Sequence, residues 1–177
     1  ASTHDLTLAT GITGVTALNS TQSTTATLKA AATTDIGVSG ASGAIAVEGG
    51  KNVTVTDAGT NNAIVIGGTT VNKGTITVTD TKVGTANINI DGGTDVTATL
   101  SGVTTGALNI GKGGAATDLA SGAVVVNSTG AAFVAATNAT LGAIAVTGGK
   151  TISVTQVATS DASAAAADKV GGTVTQG

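Results

Sequence analysis

The string AIAVEGGKNVTVT at residues 44–56 returns at residues 143–155 as AIAVTGGKTISVT. In both copies apolar side chains alternate with Ala or polar residues on either side of a Gly-Gly-Lys centre. Alternation of period two marks a strand with one buried face. Directly opposed residues of an antiparallel pair share a face. Setting Val47 against Val53 and Ile45 against Val55 therefore gathers all four on one side and leaves Gly49-Gly50-Lys51 as a three-residue loop. Such loops need a left-handed position, which glycine supplies at little cost. The same spacing recurs where Val146 and Ile152 flank Thr147-Gly148-Gly149-Lys150-Thr151, and where Ile90 and Val96 flank Asp91-Gly92-Gly93-Thr94-Asp95, with Ile88 opposite Ala98. Ile66-Gly67-Gly68-Thr69-Thr70-Val71 is one residue shorter. The pattern predicts a β-hairpin used several times.

Further strands are expected at Leu6/Leu8, Ile76/Val78 and Leu108/Ile110, and the run AVVVN at 123–127 reads as a strand buried on both faces. Thr suits the solvated positions between the apolar ones. The Ala-rich segment SDASAAAADKV, 160–170, predicts a helix of one or two turns, capped by Ser160 or Asp161. Gly-x-apolar-x-apolar starts fall at Gly43, Gly74, Gly106 and Gly142. Their spacing drifts, whereas a solenoid favours a stricter period. The expected fold is therefore all-β, an antiparallel β-sandwich built from hairpins, with a β-solenoid as the alternative. Residues 1–34 lack the Gly-Gly element and form an N-terminal segment, and 35–177 form the sandwich body.

Composition narrows the function. The chain has no Cys, Met, Trp, Tyr, Pro or Arg, and its single aromatic residue is Phe133. An aliphatic core without aromatics is thin and has no disulfide to staple it, so contacts between copies are expected to help. Net charge is −3, and the seven lysines are scattered. Nucleic-acid surfaces need clustered cations and stacking groups, so no nucleic-acid partner is expected. No apolar run approaches the roughly 20 residues of a membrane helix, so no membrane insertion is expected either. Absent cysteine fixes no compartment.

Few residues could carry chemistry. His4-Asp5 reads as half of a catalytic dyad, as a metal ligand or as an ordinary residue of a frayed terminus, and strand neighbours point to opposite faces. Glu48, the only glutamate, could join an aspartate in a glycosidase-type pair or simply sit on the solvated shoulder of a hairpin, opposite Asn52. Asp91 and Asp95 around Gly92-Gly93 resemble a calcium turn, but hard cations want several converging oxygens. GKGGAATD at 111–118 lacks the ending of a phosphate-binding loop. Sequons begin at Asn19, Asn52, Asn127 and Asn138, about as many as the Ser/Thr content gives by chance. No catalytic residue, cofactor or metal is expected, calcium at Asp91 and Asp95 being the one candidate.

The segments VTGGKTISVTQ and GGTVTQG, with their Thr/Gly/Ala/Val strands, resemble the β-strand repeats of bacterial surface proteins such as S-layer proteins, repeat adhesins and extracellular filament subunits. The resemblance spans roughly residues 43–177. It implies a secreted, non-enzymatic structural subunit of a cell-surface filament, sheath or S-layer, whose partner is itself as a homopolymer. The alternative is a ligand-binding adhesin repeat module. Within the first 34 residues Leu6 and Leu8 fit a strand that could be exchanged between subunits; the other reading is an edge strand of its own sheet.

Overall fold

The computed structural model describes residues 2–9, 12–132, 139–159, 169–170 and 173–177. Numbered along the chain, one sheet holds eight strands in the order β1 (His4–Thr7), β3 (Ala26–Ala30), β5 (Ile45–Gly49), β7 (Ile64–Ile66), β9 (Ile88–Ile90), β11 (Leu108–Ile110), β14 (Ile144–Val146) and β17 (Val174–Gln176). A second sheet holds seven, in the order β15 (Thr151–Val157), β12 (Ala123–Gly130), β10 (Val96–Val103), β8 (Ile76–Asp80), β6 (Val53–Asp57), β4 (Asp35–Ser39) and β2 (Ala17–Thr21). β13 (Ala139–Thr140) and β16 (Lys169–Val170) form a small separate pair. Every pairing between these strands is parallel, and no two strands consecutive in the chain pair with each other. From β1 to β12 the chain alternates between the two sheets, so each coil adds one strand to each. This is a two-walled β-solenoid.

In-register stacking of aliphatic side chains explains the core. One wall carries the ladders Ala26–Ile45–Ile64–Ile88–Leu108–Ile144 and Leu28–Val47–Ile66–Ile90–Ile110–Val146. The other carries Ile36–Val53–Ile76–Val96–Val124–Ile152 and Val38–Val55–Val78–Ala98–Val126–Val154. All are buried except Ile152 and Val154 on the last coil, which are partly buried. Apart from Ala26 and Ala98, branched aliphatics of similar size occupy the rungs and fit a pleated surface. Among the described residues a narrow interior is thus filled by aliphatic side chains alone.

The antiparallel sandwich is overturned, and the solenoid alternative describes the chain. The alternation itself is present: Ile45, Val47, Val53 and Val55 all face the interior. They do so from two walls, because β5 and β6 belong to different sheets. Gly49-Gly50 is the corner between those walls. Both residues have positive φ, 68° and 85°, and a Cβ on Gly50 would come within 2.7 Å of Ile36 Cδ1 on the neighbouring coil. Gly92-Gly93 joins β9 to β10 and Gly148-Gly149 joins β14 to β15 in the same way. Hydrogen bonds run to adjacent coils and not across the corner; Lys51 N, for example, donates to Thr34 O at 2.8 Å.

The drifting glycine spacing also has a physical cause. Gly43, Gly106 and Gly142 each stand two residues before a strand of the eight-stranded wall, whereas Gly74 stands before one of the other wall. Coil length varies too, since Ile45 stacks on Ile64, Ile64 on Ile88 and Leu108 on Ile144. Insertions at corners lengthen a coil without disturbing the ladders. What the glycines share is close approach between coils. A Cβ at Gly142 would lie 1.8 Å from Gly106 O, and one at Gly106 would lie 2.1 Å from Ala86 O.

Two local expectations change as well. Val124 and Val126 are buried while Val125 between them is half-exposed, so the 123–127 run is buried on one face only. Residues 160–168 of the expected helix lie outside the described residues, and Lys169–Val170 is a strand rather than its last turn. The strands at Ile76/Val78 and Leu108/Ile110 are present, and of the Leu6/Leu8 strand β1 includes Leu6 and ends at Thr7, one residue before Leu8.

Candidate functional site

The polar residues singled out in the sequence sit mostly at the corners, where each strand's leading amide needs an acceptor from the coil before it. Asp95 Oδ1 accepts from Ala123 N at 2.7 Å, and Asp91 Oδ1 from Gly113 N at 3.4 Å. Two coil-to-coil contacts in different places absorb the two carboxylates proposed for calcium. No group of three or more His, Cys, Asp or Glu side chains converges among the described residues. Asn52 takes part in the same corner ladder: its Nδ2 donates to Asp35 Oδ1, and its Oδ1 accepts from Thr75 N at 3.1 Å. Glu48 accepts from Thr69 N at 2.9 Å and Thr70 N at 2.6 Å, so its carboxylate closes the Gly67-Gly68 corner.

His4 Nδ1 lies 2.7 Å from Ser20 Oγ. Ser20 is 1% exposed and closed to any substrate, and Asp5 faces solvent on the other side of β1. Leu6 and Leu8 are partly buried against the chain's own core, with Leu6 in register with Leu28 in the edge strand β1.

Two arrangements were not foreseen. One is a buried carboxylate pair. Asp57 and Asp80 end β6 and β8, are in register, and are both 0% exposed. Parallel neighbours lie about 4.8 Å apart. Each aspartate spends one oxygen on a local turn: Asp57 Oδ1 accepts from Gly59 N and Asn62 Nδ2, and Asp80 Oδ1 from Lys82 N at 2.8 Å. The other oxygen of each is buried and unpartnered. Burial pushes the Asp80 carboxyl up to about 6; the bond from Lys82 N works against this, and the charge of Asp57 works with it. At neutral pH the Asp80 carboxylate is thus a buried charge with an unpartnered oxygen inside the wall, which costs stability.

The other is the outer face of the seven-stranded sheet. One rank reads Asn19–Gly37–Thr54–Thr77–Thr97–Val125–Ser153, and the next Thr21–Ser39–Thr56–Thr79–Thr99–Asn127–Thr155. No charged residue stands among these 14 positions, and ten of them carry hydroxyls. The centre is a block of Thr-x-Thr on three adjacent strands. Thr54, Thr56, Thr77 and Thr99 are exposed, and Thr79 and Thr97 are half-exposed. The signal was legible as VTVT, ITVT and VTAT, but only the stacking of coils aligns the three copies. Beside the block, Gly37 leaves a shallow groove of about 260 Å³ lined by Asn19, Thr21, Ser39 and Thr54.

No helix among the described residues is long and apolar enough to cross a membrane. No family model, curated protein or solved structure matches the chain.

Proposed function

We propose that this chain is a non-catalytic structural module of a bacterial cell-surface assembly, a rod whose ends associate with further copies of itself. The supporting observation is the state of the two ends. Strands β1 and β2 edge one end of the stack and β15 and β17 the other, and among the described residues each pairs on one side only. Such edges are templates for pairing with another chain. The last coil also leaves apolar side chains uncovered, with Val157 48% and Val174 43% exposed, and at the other end Ile12 is 52% exposed. Seating β15 and β17 against the β1–β2 end would continue both sheets and bury these residues. The scarcity of accessible catalytic groups and the resemblance to strand-repeat surface proteins fit the same reading.

Light scattering coupled to size-exclusion chromatography should show concentration-dependent oligomers, elongated along the stack in negative-stain images. Lys at both Val157 and Val174 should leave the chain folded and monomeric, since both positions face solvent in the single chain. A wild-type chain that stays monomeric at high concentration would count decisively against the proposal.

A further inference from the structure

We propose that the threonine face of the seven-stranded sheet binds ice. The inference stands apart from self-assembly, which concerns the ends of the stack and not its side.

Adjacent strands are about 4.8 Å apart, and residues i and i+2 of one strand are separated by about 6.6 Å. Thr54, Thr77 and Thr97 therefore form a row with the first repeat, and Thr56, Thr79 and Thr99 a parallel row offset by the second. Hexagonal ice presents oxygen rows with two repeats of this same order, one along the basal rows and one along the principal axis. A surface that is periodic in two directions can match a solid across many sites at once, whereas a soluble ligand would use only one.

Charge selects among solids. Ionic minerals need carboxylates or cations facing them, and the two ranks hold neither. An electrically neutral, hydroxyl-bearing face is complementary to a neutral lattice of hydrogen-bonded water. Crystalline polysaccharides dock on aromatic platforms, and the chain's one aromatic residue, Phe133, is outside these ranks. Protein partners favour Trp, Tyr and Arg anchors, none of which the chain contains.

Side-chain chemistry completes the case. Each Thr offers one hydroxyl that donates and accepts and one methyl that orders the water above it. β-Branching restricts χ1, and the parallel ladders hold the backbone, so little freedom is lost when a lattice forms against the face. Both effects fall on six side chains with shared geometry, which an isolated Thr on a loop could not provide.

The experiment uses the full chain and ice as the probe. Single ice crystals grown in purified protein should become faceted, and their growth should stop over a measurable interval below the melting point. Thr77→Lys, at the centre of the block, should abolish both effects while leaving the circular dichroism and melting temperature unchanged. Thr99→Tyr is an independent second disruption, in case the first disturbs the fold. Thr27→Lys, on the exposed outer face of β3 in the other sheet, should retain full activity. Round crystals and a freezing point identical to buffer at millimolar protein would overturn the proposal. So would full activity in folded Thr77→Lys and Thr99→Tyr, or equal loss in Thr27→Lys.

Discussion

Lysine at Val55 should destabilise the chain by about 3–5 kcal/mol, the cost of leaving a charge buried without a partner. Val55 is 0% exposed and stacks between Val38 and Val78, so its ammonium could not reach water without opening a wall. With a typical domain stability of about 5–15 kcal/mol, a large part of the population would unfold on mild heating. Lys at Thr54, one residue away and facing out, should change stability by no more than about 0.5 kcal/mol. Urea melts of the two variants measure the difference. Equal losses would contradict the one-sided burial of β6.

The second large effect lies at Asp80. The folded chain holds this proton up to about 6, whereas an ordinary aspartate releases it near 3.8. Between those values the folded state binds more protons than the unfolded one, so this group's contribution to stability falls as pH rises through the window. The shift corresponds to about 2–3 kcal/mol at neutral pH. Asp80→Asn should recover that amount at pH 7 and flatten the stability profile between pH 4 and pH 6.5. Its Oδ1 can still accept from Lys82 N, and its amide can donate towards the unpartnered oxygen of Asp57. The charged groups around the site are few: Asp57 is the ladder neighbour on one side, Leu100 stands on the other, and Lys82 lends its backbone amide while its side chain is exposed. Chemical denaturation at the two pH values tests this. A loss of stability at pH 7, or an unchanged pH profile, would refute it.

The buried pair and the corner acceptors share a logic. A solenoid stacks equivalent positions, so whatever is placed at one corner recurs near the next. Asp35, Asn52 and Asp95 occupy equivalent corners, and each accepts an amide from the following coil. Asp57 and Asp80 show the cost of the same rule inside the wall, where stacking brings two carboxylates together. Asp91 and Asp95 follow the same rule, each accepting an amide from the next coil, Gly113 N and Ala123 N. In a solenoid the relevant neighbour is a whole coil away.

Around the Gly-Gly elements the sequence by itself determined the strands, their apolar side and the place where the chain turns, whereas β2, β3, β4 and the strand at Lys169–Val170 carry no such mark. Ile45, Val47, Val53 and Val55 are interior as their alternation requires, and Gly49-Gly50 turns with positive φ as a Gly-Gly pair can. Only the tertiary structure decided what each strand pairs with. Two inward-facing strands around a glycine corner satisfy the same alternation as a hairpin and as two opposite walls, because period two records a face and not a partner. The choice rests on hydrogen bonds to strands about 20 residues away, such as Ile45 over Ile64, and on glycines that let coils approach within contact. Neither leaves a local mark. The threonine face has the same origin: each Thr-x-Thr is written in the sequence, but its alignment with the next is a property of the stack, since coil lengths vary while the ladder register does not.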